Sequence, residues 1–407
     1  MAISRIGLNV VENSNTDIGL YIHIPFCNSK CEYCAFVSMV ASSSDKKRYF
    51  SDLIAELKIQ ALKMRKNTSI SSIYIGGGTP SSMDYYYIRD LLSCIYKNFP
   101  VKNSAEITIE INPNTIDKHK IREYILAGVN RFSVGLQSTN PKILKAMGRQ
   151  HTIADFEKTI KIIREFSIKN ISADIIIGYP KQKLMDVKDT VQYLIKMGIP
   201  HISAYMLQVE SGTKLKKLVD NGSVTVPDDD AVVDMYKYVC SALESAGYNR
   251  YELSNFAKPG FESYHNQIYW NRKNYIGLGL AAHSYVNGVR FANTESMPEY
   301  AKKIEEKGEI PTAYSKVLTS NEKKEECIML SLRTATGLDL EAYKTEFNES
   351  FLQKRKATVA KLIENEYLIL KENHLYCTTK GFLVLNQVIL QLVEGDGEQK
   401  PKPTTQK

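Results

Sequence analysis

The chain has 407 residues, 43% hydrophobic and 24% charged, enough for a large domain plus a smaller one, and this excludes disorder as the default. Its net charge of +8 is interspersed with acids, which suits an anionic small ligand at least as well as nucleic acid and decides neither. Of seven cysteines, three are clustered and Cys94, Cys240, Cys327 and Cys377 stand singly, which argues against a disulfide framework and for a reducing compartment.

The chain opens on MAISRIGLNVVENSN, with one Arg and no apolar h-region, so residues 1–18 read as an N-terminal extension rather than a secretory or transit peptide. No long apolar run occurs, so no membrane span is expected, and the chain reads as cytoplasmic. From residue 19, β-rich runs alternate with helical stretches. The runs are GLYIHIP (19–25), SIYIGG (72–77), EITIEIN (106–112), RFSVGLQ (131–137), ADIIIGYP (173–180) and HISAYMLQ (201–208). Several read as apolar on both faces, as strands buried between layers do. Amphipathic helices are predicted over 45–66, 118–128 and 155–167, and Gly128, Asn170 and Gly198 are helix-stop signals. These alternations predict an α/β fold, a (β/α) barrel or part of one over 19–250, and a partial (β/α)6 barrel if the six units are all, since pattern alone does not tell six from eight; its ligand chemistry belongs at the carboxyl ends of the strands.

After residue 250 the pattern changes. A polar, aromatic connecting segment over 251–295 leads to a small C-terminal α+β domain over 296–392 with winged-helix character. There LILKENHLYC reads as a hairpin turning at Glu372 and Asn373. Residues 301–391 hold 14 Lys/Arg against 13 Asp/Glu, too balanced for a DNA-reading wing, so no nucleic-acid partner is expected. The polar, Pro-containing end over 393–407 is expected to be disordered.

CNSKCEYC follows directly on the first predicted strand, which puts Cys27, Cys31 and Cys34 where barrel active sites lie. A C-x3-C-x2-C loop can hold three irons of a [4Fe–4S] cluster, leaving the remaining iron open to a small molecule. A structural zinc ion with His23 as fourth ligand is the alternative, although zinc modules usually add a second C-x2-C pair, which this chain lacks. GGGTP (76–80) closes the second strand, and consecutive glycines let a ligand approach the backbone closely.

YIHIPFCNSKCEYC resembles the radical S-adenosylmethionine (SAM) superfamily, and the resemblance runs from about residue 19 to 390. Within it, the YIHIPFC lead-in is similar to the branch that holds oxygen-independent coproporphyrinogen III dehydrogenases and HemW-type haem chaperones. The resemblance implies a [4Fe–4S] cluster on Cys27, Cys31 and Cys34, SAM chelated at the open iron, and an electron donor for the cluster. On matching positions it assigns Gly77, Gly78 and Thr79 to the methionine amino group and Arg149 to its carboxylate. Gln137 and Asp174 fall to the ribose hydroxyls, Glu110 to the same polar wall, and Tyr21 to another SAM contact. The chemistry suits: a guanidinium forks onto a carboxylate, and amide or carboxylate acceptors meet a diol. Taken singly each is an ordinary strand-end polar group, except Asp174, whose carboxylate amid ADIIIG needs partners if buried.

Two functions share this framework, removal of propionate hydrogens in haem synthesis and the carriage of finished haem. Phe36 stands where the dehydrogenases carry another Cys, and the segment before the first strand is shorter than theirs. HNQIYW (265–270) matches the HNxxYW motif associated with haem binding in the chaperones. It implies His265 as an iron ligand, Tyr269 as a second, and Trp270, the chain's one Trp, as a packing partner. Pinning of the linker onto the barrel is the other reading of the same residues. Ala281 stands where the relatives usually have Gly, and the remaining histidines, His23 and His151 among them, show no ligand-like clustering. The expectation is a haem chaperone serving client haemoproteins, with coproporphyrinogen III dehydrogenase as the alternative and a homodimer left open.

Overall fold

All six runs form strands of one sheet in the computed structural model, which describes residues 16–64 and 68–396. β1 (Thr16–Ile24), β2 (Thr68–Gly77), β3 (Val101–Ile111), β4 (Arg131–Gln137), β5 (Ile171–Ile177) and β6 (His201–Met206) pair in parallel and in chain order. Helices Ser43–Lys63, Tyr85–Asn98, Lys118–Leu126, Ile153–Glu165 and Leu184–Lys196 lie in the connections between successive strands. The strands are not apolar on both faces as expected. They alternate: Ile73, Ile75, Ile107, Ile109, Phe132 and Val134 are buried on one face, while Ser72, Tyr74, Thr108, Glu110, Ser133 and Gly135 share the other. The second set is polar or small, so the barrel has a polar interior and an apolar outer face for the helices.

The sheet runs on past both ends. β7 (Asn249–Arg250) and β8 (Asn255–Ala257) add beyond β6. β9 (Tyr275–Leu278) pairs in parallel with β1, and β10 (His283–Val286), β11 (Val289–Asn293) and β12 (Thr312–Val317) follow antiparallel. Among the described residues the order β12-β11-β10-β9-β1-β2-β3-β4-β5-β6-β8-β7 does not close on itself, so the barrel is partial.

The chain divides into two units: 16–250, 254–269 and 273–317, and 251–253, 270–272 and 318–396. The accessory domain expected from residue 296 therefore starts at Leu318, because β11 and β12 continue the barrel sheet. Strands this short show too few alternations to be read from sequence.

In the second unit, β13 (Leu338–Asp339), β14 (Leu368–Lys371) and β15 (His374–Cys377) form an antiparallel sheet in the order β13-β15-β14. The β14–β15 turn falls at Glu372 and Asn373, both left-handed (φ 50° and 62°), as a two-residue hairpin requires. Ile328, Leu332, Tyr343, Leu362, Leu375 and Phe382 build its core. Glu349 accepts from Lys324 (2.5 Å) and Lys354 (2.8 Å), which hold its carboxyl down near 2 despite burial. Of the tail expected over 393–407, Val393 and Glu394 end the last helix, Asp396 caps the helix Lys356–Glu364, and 397–407 lie outside the described residues. Residues 1–15 of the expected extension lie outside them too. Among the described residues no helix is long and apolar enough to cross a membrane.

Candidate functional site

β1 delivers the cysteine loop at its carboxyl end, and the loop is pinned from several directions. Cys27 N donates to Met39 O (3.0 Å), Met39 N to Pro25 O (2.7 Å) and Glu32 N to Met147 O (3.2 Å). His23, buried on β1, bonds Val37 O through Nε2 (2.8 Å) and Tyr21 Oη through Nδ1 (3.0 Å). Burial holds its pKa below the ordinary histidine range, so it serves as a neutral tether.

The Gly-rich end of β2 packs against this loop. Gly78 N donates to Ile24 O (2.8 Å), Thr79 N to Phe26 O (2.8 Å), and Thr79 Oγ1 to Cys27 Sγ (3.5 Å). Gly77 has φ 113°, and a Cβ there would lie 2.6 Å from the His23 ring, so only glycine fits. Gly77 N donates to Glu110 Oε2 (3.1 Å). With these N–H groups spent inside the protein, what the glycines can offer a ligand is carbonyl oxygen, an acceptor suited to an amino group.

The three thiols open on a cavity of about 450 Å³. Gly77, Gly78, Thr79, Glu110, Gln137, Arg149 and Asp174 all line it. Tyr21 stands one layer back: its ring stacks on Tyr74 at 6.3 Å, and Tyr74, which lines the cavity, donates its hydroxyl to Glu110 Oε1 (2.9 Å). Arg149 donates from Nη2 to Gly135 O (2.9 Å) and from Nε to His151 Nδ1 (3.3 Å), and its Nη1 lies 3.9 Å from Cys31 Sγ. That bond makes His151 the Nε2–H tautomer, donating to Leu136 O (3.1 Å), and burial with Arg149 beside it pushes its pKa down to about 4. Gln137 takes the left-handed φ of 69°, and a Cβ on Gly135 would crowd Gln137 Nε2 (2.8 Å) and Arg149 Nη2 (3.0 Å).

Asp174 accepts from Ser133 Oγ (2.9 Å) and Ser172 Oγ (3.4 Å). Burial raises its pKa. Burial, with Asp174 nearby, pushes Glu110 up to about 7. Two reluctant carboxylates on one wall favour a ligand that brings positive charge.

Among the described residues no three His, Cys, Asp or Glu side chains sit close enough to share one metal ion. A zinc ion with His23 as fourth ligand therefore lacks a donor set, and both nitrogens of His23 are already bonded. All three thiols are unpaired, and they are spread around the cavity beside an Arg and a Gly-rich edge. Three separate thiols would suit a [4Fe–4S] cluster, in which Cys27, Cys31 and Cys34 would each hold a different iron rather than share one ion.

The residues expected at haem are placed differently. His265, on the helix Tyr264–Trp270, is 0% exposed, with Nδ1 bonded to Ser72 Oγ (2.7 Å) and Nε2 to Tyr269 Oη (2.7 Å). No ring nitrogen is left for an iron, and burial pushes its pKa down to about 3. Axial ligation by His265, with Tyr269 as a second ligand, is thus not met here, because each residue already satisfies the other. Trp270 is half-buried and falls in the second unit.

Sequence reasoning set His23 and His151 aside, and it did not single out Tyr74, Ser133 or Gly135. Strand parity was the available signal: Tyr74 shares its face with Ser72 and Gly76, and Ser133 and Gly135 share theirs with Gln137.

Parallel strands in order 1 to 6, with a three-cysteine loop after the first, define a radical SAM barrel. The family model described as "Radical SAM superfamily" matches residues 21–194, and "HemN C-terminal domain" matches 318–384. The chain is 32% identical over 376 residues to "Heme chaperone HemW" of Lactococcus lactis subsp. lactis, covering 92% of this chain and 97% of that one. It is also 32% identical over 369 residues to the Bacillus subtilis protein of the same name, covering 90% and 97%. The solved coproporphyrinogen III oxidase (HemN) from Escherichia coli shares the fold, with a TM-score of 0.81 at 20% identity over 92% of this chain and 89% of that one. The chain belongs to the HemW family of radical SAM proteins.

Proposed function

We propose that this chain is a haem chaperone that binds haem and delivers it to client haemoproteins, with SAM and a [4Fe–4S] cluster in its barrel. The observation that carries the reading is the cavity, where three unpaired thiols and the polar strand ends converge, in a chain matching proteins named heme chaperones over almost their whole length. When bound, the cluster supplies an open iron for the amino and carboxylate groups of SAM and an electron from an external donor. In this reading the glycine carbonyls accept from the amino group, and Arg149, steadied by His151 and Gly135 O, meets the carboxylate. Gln137 and Asp174 take the ribose hydroxyls, and Glu110 sets the charge of the wall. His265, Tyr269 and Trp270 are not assigned to haem in this reading, because the imidazole is enclosed and fully bonded.

Phe36 favours the chaperone over the dehydrogenase. It is 65% exposed and lines the cavity mouth, an apolar ring where the family's dehydrogenases carry a thiol. The likeness to HemN, at 20% identity, speaks for the fold alone. The test is anaerobic incubation of the reconstituted protein with coproporphyrinogen III, SAM and reductant, beside a haem-transfer assay to an apo-haemoprotein. Haem transfer without vinyl-bearing product is expected; vinyl product above background overturns the reading. The proposal places the protein in the cytoplasm, and light scattering of the purified chain decides whether it forms the homodimer that the sequence leaves open.

A further inference from the structure

We propose that His265 is a positioning residue for the SAM cavity, acting through Tyr74 on Glu110 and Gly77, which gives the HNQIYW segment a role at the cofactor wall. The inference rests on reading the cavity as the SAM site.

The helix Tyr264–Trp270 is anchored at the amino end of the barrel strands. Glu106, in β3, accepts from Ser263 Oγ (3.2 Å), Tyr264 N (3.0 Å) and His265 N (3.0 Å). β1 makes room for the helix: a Cβ on Gly19 would lie 2.9 Å from Ile268 Cδ1 and 3.3 Å from His265 Cε1. The imidazole therefore reaches the interior face of β2, bonded to Ser72 and stacked on Tyr74 at 5.2 Å and 28°.

Ser72, Tyr74 and Gly76 share that face, so the stack lies directly beneath the Gly-rich turn. Tyr74 Oη donates to Glu110 Oε1 (2.9 Å), and Glu110 Oε2 accepts from Gly77 N (3.1 Å). There is no slack in this column, since a Cβ on Gly76 would lie 2.9 Å from both Glu110 Cδ and Tyr74 Cε1. A second branch runs from Tyr74 to Tyr21 (6.3 Å), on to His23 and to Val37 O in the cysteine loop. A pin that merely closed the barrel floor would need its bonds to Ser72 and Tyr269. The stack on Tyr74 is what extends it to the cavity.

The experiment is a double-mutant cycle on the cluster-reconstituted full chain, with His265→Ala, Tyr74→Phe and the pair. SAM affinity is read by equilibrium dialysis, and haem affinity and the Soret spectrum by titration of the same preparations. Each single variant is expected to weaken SAM binding about tenfold, the effect of one misplaced buried hydrogen bond. The pair should be no weaker than the weaker single variant, because both act on one column. Haem affinity and spectrum should stay as in the wild type.

Additive losses overturn the proposal, as does wild-type SAM affinity in either single variant. Loss of haem with SAM binding intact in His265→Ala makes the residue an iron ligand instead. Should His265→Ala not fold, Tyr269→Phe, which frees the imidazole Nε2, completes the cycle with Tyr74→Phe. A wild-type protein that binds no SAM fails the cavity reading itself, and that outcome is distinct from equal binding by all variants.

Discussion

Glu110 gives the sharpest pH test of the cavity. Its carboxyl is pushed from an ordinary 4.5 to about 7, first by burial and then by Asp174, while the bonds from Tyr74 and Gly77 pull the other way. That displacement is worth roughly 3 kcal/mol between its two protonation states. Below pH 7 the side chain is a neutral acid, and above it an anion. A ligand carrying a sulfonium gains from the anion alone, so binding falls about tenfold per pH unit below 7 and levels off above it. SAM titrates its own amino group in the same range, so the wild-type curve alone does not isolate Glu110. The ratio of dissociation constants, Glu110→Gln over wild type, cancels the ligand's titration. It should drop about tenfold between pH 8 and pH 6, as the wild type loses its charge and comes to resemble the amide. Equilibrium dialysis of reconstituted protein at a series of pH values measures it. A ratio that stays flat over that interval refutes the reasoning. The stability of the ligand-free protein carries the matching sign: the folded state prefers the protonated acid, so this contribution is complete below 4.5 and is lost as pH rises through about 7.

Three substitutions test the local geometry. Gly77→Ala must hold φ 113° and place a Cβ 2.6 Å from the His23 ring, so a loss of about 2–4 kcal/mol is expected from urea denaturation, and a loss under 1 would contradict the packing. Ala281, at φ 57°, occupies a left-handed position that costs a Cβ-bearing residue, and Ala281→Gly should stabilise by about 1 kcal/mol at unchanged m-value. His151→Ala removes the acceptor that steadies Arg149 Nε (3.3 Å), so SAM affinity should fall about fivefold while iron and sulfide content hold. Loss of the cluster in that variant would place His151 in the loop's support instead.

The cysteine loop and the six strands were legible in the sequence because each is a contiguous string: CNSKCEYC carries its own chemistry, and the strand runs are separated by recognisable helices. The cofactor wall became legible through resemblance, since Glu110, Gln137, Arg149 and Asp174 come from four different βα connections or strand ends and show no shared spacing. His23 and His151 escaped for the opposite reason. A search for ligands looks for clustered histidines, whereas these two stand apart and spend both ring nitrogens on protein partners, His23 on Val37 O and Tyr21 and His151 on Arg149 and Leu136 O. The extension β9–β12 escaped because strands of four to six residues around the Asn287-Gly288 turn show too little alternation.

Parity along the strands would have recovered part of what was missed. Every second residue of β2, β3 and β4 is polar or small over the stretch that bounds the cavity, β5 adds Ser172 and Asp174 before Ile176, and Ser72, Tyr74, Glu110, Ser133, Gln137 and Asp174 all fall on this pattern apart from the bulge between Gly135 and Gln137. A barrel lined this way cannot be stabilised by an apolar centre, so its interior has to be satisfied bond by bond. His265 is part of that satisfaction: with Ser72 below, Tyr74 beside and Tyr269 across, its two nitrogens and its ring face are all in use. A motif that reads as an iron ligand in one dimension is, in three, a polar plug for a polar barrel. Haem carriage by this chain then calls for a ligand outside the barrel floor, and substitution of His265 should leave the haem spectrum where it was.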